Sequence, residues 1–126
     1  MRVVDTSAWI EWALGSDLGR SMAGELPDRS QWVVPTIVQF ELRKWALRAA
    51  SAAVADGMAA YWSKCEIAPL TGPIALRAAD LTLAHGLSAA DAIILSTAED
   101  FAADLLTCDA HFQGLPNVVY FKKGAP

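Results

Sequence analysis

The sequence predicts an α/β domain in three layers, with helices on both faces of a mainly parallel sheet of about five strands. Short apolar segments alternate with segments of helical spacing along all 126 residues. Most of the apolar segments leave no polar face for water, which is typical of strands buried on both sides in a parallel sheet. No repeat, low-complexity tract or linker divides the chain, so we expect a single domain over residues 1–126.

Five segments have the composition of strands, and the first and fourth of them lead to an acid. Residues 1–4 are followed at once by Asp5, and residues 105–107 are separated from Asp109 by one residue. The third segment is the weakest, because Pro69 interrupts it and proline cannot donate to a strand ladder. The predicted strands are residues 1–4, 32–34, 66–70, 105–107 and 118–121.

Helix start and stop signals bound the intervening segments. Asp5 or Thr6 stands where the first helix needs an N-cap, and residues 36–39 and 88–91 each have the form of a capping box. Pro27 is expected to end the second, short helix. The predicted helices, with their caps, are residues 8–14, 17–26, 36–50, 52–64, 71–86 and 88–101.

Two of these helices, residues 36–50 and 52–64, follow each other closely and are expected to pack as a helical hairpin in the N-terminal half. The next helix, residues 71–86, has a proline near its first position and a glycine at its end, which are strong boundary signals. We expect the apolar face of that helix to consist of Ile74, Leu76, Leu81 and Leu83.

The charge balance leaves nucleic-acid binding open. Fourteen acids outnumber ten bases and give a net charge of −4, which argues against a general surface for polyanions. The excess equals four carboxylates, however. If four of them converge on one divalent cation, the remaining surface is balanced and the charge no longer argues against nucleic acid.

Cysteine use and hydropathy predict a cytoplasmic protein without a membrane segment. Cys65 and Cys108 show no metal-binding spacing, and we expect two free thiols in a reducing compartment. The longest stretch without a charged residue is 12 residues, 110–121, which is too short to span a bilayer. An acid at position 5 excludes the apolar region of a signal peptide.

Four acids are the candidate functional residues: Asp5 and Asp109 after strands, Glu41 on a helix, and Asp91 in the first turn of another helix. Each has an ordinary explanation as a helix cap or a solvated side chain. In parallel α/β sheets, however, sites form beyond the carboxyl ends of the strands, where Asp5 and Asp109 both emerge. Carboxylates that cluster there repel each other unless a cation holds them.

Oxygen ligands without histidine or cysteine suit Mg²⁺ or Mn²⁺. Such a cation can polarise a phosphoryl oxygen, activate water and stabilise a leaving oxyanion, while a spare carboxylate orients the attacking water. The acidic cluster therefore indicates phosphodiester hydrolysis.

Four segments carry a family resemblance: residues 3–9 (VVDTSAW), 38–42 (VQFEL), 87–94 (LSAADAII) and 105–112 (LLTCDAHF). Together they resemble the PIN-domain ribonucleases, most closely the VapC-type toxins of prokaryotic toxin–antitoxin pairs. The match extends over essentially the whole chain, and four acids in this order form a specific signature. The resemblance implies a PIN-like α/β/α fold.

The resemblance also implies a magnesium-dependent endoribonuclease, a homodimer, and an antitoxin that wraps the toxin and blocks its acidic pocket. By matching position, Asp5 and Asp91 are direct metal ligands and Asp109 is a further or water-mediated ligand. Glu41 is an acid behind the ligands or a base that positions water. The supporting residues implied are Ser7 and Thr107, whose hydroxyls orient carboxylates, metal-bound water or phosphate; related sequences often have Asn in place of Ser7.

Substrate contacts are expected on the helix that carries Glu41. At 100° per residue, Lys44 and Arg48 project near Glu41 and are candidates for RNA phosphate, with a solvated face as the equal alternative. For Trp45 we expect packing rather than stacking on a base. His111 follows Asp109 by two residues, so an approach to the site is the alternative to the structural or solvent-exposed position that we expect. Metal ligation by this histidine would not suit Mg²⁺.

Three alternatives remain open at this stage. An aspartyl-phosphate phosphatase would use Asp5 as nucleophile, but position 7 is Ser where that chemistry commonly places a second Asp, and no suitable Lys follows a strand. A degenerate PIN module would bind RNA or a protein without cleaving. Four tryptophans either fill the core or line a dimer or antitoxin groove; these are Trp9, Trp12, Trp45 and Trp62.

Overall fold

A computed structural model of the chain describes residues 1–26 and 28–124. Its five strands form one sheet in the order β3-β2-β1-β4-β5, and every neighbouring pair is parallel. The predicted α/β class is confirmed, with a sheet that is parallel throughout. The strands are β1 (Arg2–Val4), β2 (Trp32–Pro35), β3 (Glu66–Ala68), β4 (Asp104–Thr107) and β5 (Val118–Tyr120).

Within the described ranges, six α-helices connect the strands, and single 3₁₀ turns lie at Ala23–Glu25, Arg29–Gln31 and Ala110–Phe112. The second predicted helix is shorter than expected, since its α-helical part ends at Ser21. Pro27, its expected terminator, lies outside the described residues. The helices are α1 (Thr6–Leu14), α2 (Asp17–Ser21), α3 (Thr36–Ala49), α4 (Ala52–Trp62), α5 (Gly72–His85) and α6 (Ala89–Asp100).

The core lies around the central strands. Val3, Val33 and Leu105 are each fully buried, which fits strands covered by helices on both faces. The hairpin of α3 and α4 is confirmed by their packing on each other. At the amino edge of the sheet, Arg2 donates two hydrogen bonds to Asp104, of 2.8 and 2.7 Å. This bidentate pair reinforces the register of β1 against β4.

One of the two predicted capping boxes is wrong. Ser88 caps α6 as expected, accepting a hydrogen bond of 3.2 Å from the Asp91 backbone N–H. At α3, by contrast, Pro35 occupies the N-cap position, without a side-chain hydrogen bond, and Thr36 is already helical. Pro35 is also the last residue of β2, so the strand passes directly into the helix and no residue is left between them for a cap.

The predicted apolar face of α5 is partly wrong. Leu76 and Leu83 are 74% and 89% exposed, whereas Ile74, Ala78 and Leu81 are buried. Residues 74, 78 and 81 lie within about 60° of one another around a helix, and residues 76 and 83 lie on the opposite side. The small side chain of Ala78 lies on the face that packs against α6. The prediction failed because it favoured leucine over alanine as a core residue.

Aromatic side chains fill the space between the N-terminal helices and the sheet. The Trp9 ring lies 4.6 Å from the ring of Trp32 and 6.5 Å from that of Trp62, centroid to centroid. Trp9 and Trp62 belong to the core, and Trp12 and Trp45 are partly buried against it. Core filling is therefore the correct interpretation for Trp9 and Trp62.

Both cysteines are free thiols, as predicted. Cys108 is buried, with its sulfur 3.5 Å from the Met22 sulfur, and burial raises the pKa of this thiol to about 11. Among the described residues, no single helix is both long and apolar enough to cross a membrane; the pair α5 and α6 passes on length and composition together, but is bent by 117°.

Gly19 is required where α2 crosses α1. A Cβ atom at this position would lie 2.3 Å from the Glu11 carbonyl oxygen, a backbone atom that cannot move aside. We expect Gly19→Ala to destabilise the protein by about 3 kcal/mol through overpacking, measured by urea unfolding. A Cβ atom at Gly57 in α4 would have nothing within 4 Å, so Gly57→Ala is the matched control and should stabilise by about 0.5–1 kcal/mol. Equal stability of the two variants would contradict the close packing of α2 on α1.

Candidate active site

The carboxyl ends of β1 and β4 deliver two acids to one edge of the sheet. The two strands are parallel neighbours, with Val4 beside Leu106. The Asp5 backbone N–H donates to the Leu106 carbonyl at 2.9 Å, which extends the ladder by one residue. Asp109 follows Thr107, the last residue of β4, by two positions. Both acids therefore emerge at the same edge, as the sequence predicted.

The Asp5 carboxylate is buried and held by two hydroxyl groups. The residue is 3% exposed, and its Oδ2 accepts hydrogen bonds from Ser7 Oγ at 2.6 Å and Thr107 Oγ1 at 2.7 Å. Asp5 occupies the N-cap position of α1 but makes no side-chain capping bond, so the explanation of Asp5 as a cap alone is wrong. Burial raises the pKa of Asp5, the hydroxyls of Ser7 and Thr107 oppose that rise, and the charge of Asp109 adds to it.

Backbone groups fix the direction in which these two hydroxyls donate. Ser7 Oγ accepts the Cys108 N–H at 3.0 Å, and Thr107 Oγ1 accepts the Asp109 N–H at 2.9 Å. Since each oxygen is an acceptor for an N–H group, its own proton is directed to Asp5. The network also ties the start of α1 to the segment after β4.

Asp91 and Asp109 form the outer part of the cluster. Their side chains are 17% and 29% exposed. Burial raises the pKa of Asp91 to about 6, with further contributions from the charges of Asp109 and Asp5. Three carboxylates from three separate elements therefore lie within each other's electrostatic field.

His111 contacts both outer acids, which the sequence did not predict. The side chain is 75% exposed, as expected, but its Nδ1 lies 2.9 Å from Asp109 Oδ1 and 3.6 Å from Asp91 Oδ2. The Asp109 Oδ1 atom also accepts the His111 backbone N–H at 2.9 Å. In the described part of the chain, one group of potential metal ligands lies within 4.8 Å of one another, and it consists of Asp91, Asp109 and His111. The i, i+2 spacing from Asp109 was the available signal.

Glu41 reaches the site through Thr6 rather than by contact with the aspartates. Thr6 Oγ1 donates to Glu41 Oε1 at 2.7 Å, and Thr6 is the residue after Asp5. The fold thus brings Asp5, Asp91 and Asp109 into one electrostatic cluster and attaches Glu41 at its margin. Thr6 is a polar group that the sequence analysis missed, because its partner lies 35 positions away.

Lys44 and Arg48 line a groove that begins at Glu41. The groove has a volume of about 340 Å³, and Trp45 forms part of its wall. Lys44 and Arg48 are exposed, whereas Trp45 is partly buried against the core, as expected for packing. Lys44 and Arg48 therefore share one groove with Glu41, as their helical spacing predicted.

The donor set fits a hard divalent cation. The charge of Asp109 raises the pKa values of both Asp5 and Asp91, and within the described residues no Lys or Arg forms an ion pair with any of the three. A cation bound by carboxylate oxygens would remove this repulsion. The His111 nitrogen next to Asp109 is a softer donor, which Mn²⁺ accepts more readily than Mg²⁺ does.

The sequence and the fold define the class of protein. The family model of the PIN domain matches residues 2–117. The chain belongs to the PIN-domain family, so the resemblance seen in the sequence is confirmed. No curated protein sequence matches the chain.

Solved structures share the whole fold. A chain of a toxin–antitoxin complex from Klebsiella pneumoniae is 25% identical, with a TM-score of 0.82, over 94% of this chain and 96% of that one. VapC20 of Mycobacterium tuberculosis, a toxin that cleaves the sarcin–ricin loop, is 17% identical, with a TM-score of 0.77, over 94% and 97%. A chain of VapBC2 from Rickettsia felis, bound to promoter DNA, is 16% identical, with a TM-score of 0.74, over 96% and 97%. The PIN-like fold prediction is therefore confirmed.

The raised pKa of Asp91 predicts a pH-dependent penalty in the metal-free protein. The folded state binds this proton with a pKa of about 6, against an ordinary value of 3.8, so stability falls as the pH rises through that window. In EDTA at pH 7.5, we expect Asp91→Asn to raise Tm by about 4 °C relative to wild type, after allowance for solvent screening.

The gain should shrink as the pH falls towards 4, where Asp91 of the wild type is protonated. Asp80→Asn is the matched control, since Asp80 is exposed on α5 and its substitution removes the same charge. A gain that is equal in both variants, or independent of pH, would contradict the raised pKa of Asp91, which burial and the charges of Asp109 and Asp5 produce. Differential scanning fluorimetry between pH 4 and pH 8 measures the Tm of wild type and of both variants.

Proposed function

We propose that this chain is a Mg²⁺- or Mn²⁺-dependent endoribonuclease, with residues 1–126 acting as one PIN domain. The observation that carries the proposal is the buried Asp5 carboxylate, held by Ser7 and Thr107 at the carboxyl edge of the sheet and surrounded by the charges of Asp91 and Asp109. Such an arrangement is costly without a cation and suited to one with it.

In this proposal, Asp5 and Asp91 bind the cation directly, and Asp109 binds it directly or through water. When bound, the divalent cation supplies Lewis-acid stabilisation of phosphoryl oxygen charge and lowers the pKa of water. Ser7 and Thr107 hold the Asp5 carboxylate in one orientation by hydrogen bonds of 2.6 and 2.7 Å.

Glu41 has the geometry of a group that orients or deprotonates the attacking water. Its Oε1 accepts the hydroxyl proton of Thr6 at 2.7 Å, which fixes the carboxylate beside the cluster. Among the described residues, no hydrogen-bond partner occupies the second oxygen, Oε2. That oxygen is therefore available to accept a proton from water while the aspartates hold the cation.

We further propose that the protein is the toxin of a type II toxin–antitoxin pair, a cytoplasmic homodimer whose acidic pocket is blocked by an antitoxin. Support comes from the 25% identical chain of the Klebsiella pneumoniae complex, which matches this chain over nearly its full length. The RNA substrate is supported by VapC20, which acts on the sarcin–ricin loop.

The first test removes one charge from the cluster without changing its shape. We expect Asp5→Asn to reduce Mg²⁺- or Mn²⁺-dependent cleavage of mixed structured RNAs by roughly 100-fold or more, because a direct ligand is lost. Circular dichroism should show an intact fold, and Asp80→Asn should cleave as wild type does. Retained cleavage by Asp5→Asn would defeat the ligand assignment.

The same assay separates an enzyme from a binding module. If wild type binds RNA at saturating Mg²⁺ and Mn²⁺ but leaves it uncut, the chain is a degenerate PIN module and the nuclease proposal fails.

The second test measures cation binding without RNA. Adding Mn²⁺ to a concentration of about 100 times its Kd should stabilise the wild type by about 2.7 kcal/mol, seen as a rise in Tm. Asp91→Asn should lose most of this rise, because it lacks one carboxylate ligand, while Asp80→Asn should retain it. No shift in wild type, or an equal shift in Asp91→Asn, would count against a cation site at these residues.

A further inference from the structure

Two grooves have in their walls one each of the consecutive residues Thr6 and Ser7, which follow Asp5. The first, which we name the α3 groove, is lined by Thr6, Phe40, Glu41, Lys44 and Arg48. Because its wall includes Thr6, it begins one residue after Asp5. It has a volume of about 340 Å³.

The second, the β5 groove, has a volume of about 480 Å³ and is lined by Ser7, Asp109, Tyr120, Lys122 and Lys123. Its wall includes Ser7, which donates to Asp5. Thr6 and Ser7 are adjacent in the first turn of α1, so each groove is lined by one of the two residues that follow Asp5.

The unpaired cations of this acidic chain are concentrated in these two grooves. Of the ten basic residues, Arg29 has no described side chain, and Arg2, Arg20, Arg43 and Arg77 form ion pairs with acids. Five described basic residues form no ion pair. Four of these five line the grooves, and the fifth is Lys64; the four are Lys44, Arg48, Lys122 and Lys123.

The distribution is specific to this edge of the sheet. A larger concavity of the described chain, about 620 Å³, lies at the opposite edge, and its charged lining side chains are Glu99 and Asp104. Four of the five cations without an ion pair therefore line the two grooves that begin next to Asp5, although the acidic cluster itself repels a polyanion.

We infer that a single strand of RNA crosses the acidic cluster from the α3 groove to the β5 groove. Lys44 and Arg48 hold phosphates on one side, and Lys122 and Lys123 hold phosphates on the other. This inference rests on the proposed function and adds the path of the substrate to it. The scissile phosphate then lies over Asp5, between two pairs of cations that offset the repulsion of the carboxylates.

Aromatic side chains in the grooves favour a single strand over a duplex. Phe40 is 63% exposed in the α3 groove, although it is one of the largest apolar side chains, and Tyr120 lines the β5 groove. Unpaired bases stack on such rings, whereas the bases of a duplex are already stacked and do not reach them. An acidic peptide would match the cations but would leave these rings unused.

The test measures binding of a fluorescent 12-nucleotide RNA as a function of salt, in an Asp5→Asn background that does not cut it. Each released counterion contributes a slope of about 0.7 in log Kd against log salt. Lys44→Ala with Arg48→Ala should therefore flatten the slope by about 1.4, and Lys122→Ala with Lys123→Ala should do the same. The four substitutions together should flatten it by about twice as much.

The matched control removes two positive charges away from the grooves, by Arg20→Ala with Lys64→Ala, and should leave the slope unchanged. If the Lys122 and Lys123 pair behaves like this control, RNA does not enter the β5 groove and the inferred path is overturned. If only one of the two double variants flattens the salt slope, RNA binds only one groove and the inferred path is likewise overturned.

Two further arms identify the ligand. Phe40→Leu should weaken binding of the RNA by about tenfold through lost stacking, and should leave binding of polyglutamate unchanged. A duplex RNA of the same length should compete poorly. If polyglutamate competes as well as the single strand, the grooves bind an acidic protein and the RNA path is wrong.

These outcomes are distinguishable from those of the nuclease proposal. Cleavage by wild type together with unchanged salt slopes in both double variants would overturn the path alone. Flattened slopes without any metal-dependent cleavage would overturn the nuclease and leave the path intact.

Discussion

The structure depends on the hydrogen bonds that hold a buried carboxylate where β1 meets α1. Asp5 is 3% exposed and accepts protons from Ser7 and Thr107. A buried carboxylate is expensive unless its oxygens are paired. These two hydroxyls come from opposite ends of the chain, so the interaction that satisfies Asp5 also closes β1 and the segment after β4 on each other.

The remaining acids make the same edge of the sheet electrostatically unfavourable by itself. Burial, together with the charges of Asp109 and Asp5, raises the pKa of Asp91 to about 6. Burial and mutual repulsion of these acids reduce the stability of the protein when no cation is bound to them. The apolar strands and the tryptophan cluster around Trp9 provide stability that is independent of the site.

Much of this architecture could be predicted from the sequence, because its determinants are local. Buried strands are apolar along their length, and parallel strands place Asp5 and Asp109 at one edge whatever the register. The predictions failed where the packing of other parts of the fold determines the role of a residue. Thr36 is not a cap because Pro35 ends β2 at the helix itself, and Leu76 is exposed because α5 packs through the side that carries Ala78.

Within the site, the sequence pointed to the acids but not to all of their contacts. The Thr6 bond to Glu41 spans 35 positions, and the contact of His111 with Asp91 depends on how the turn after β4 faces the start of α6. Neither arises from a local pattern. The hydroxyls of Ser7 and Thr107 were expected only from family resemblance, and the structure adds that they bind the same oxygen of Asp5. The catalytic roles of Asp5, Glu41, Asp91 and Asp109 stay predictions.

The central position of β1 has a consequence for synthesis of the chain. In its pairing with β4, Arg2 lies opposite Asp104. β1 therefore cannot complete its pairing until a residue 102 positions later has been synthesised. A contact of such long sequence separation carries a high loop-closure entropy and slows folding. On the ribosome, Asp5 lacks Thr107, and Asp91 lacks Asp109, until residues 104–109 have left the exit tunnel. The acidic cluster is assembled only from that point of synthesis onwards, so chemistry that needs all of its carboxylates is closed to a shorter nascent chain.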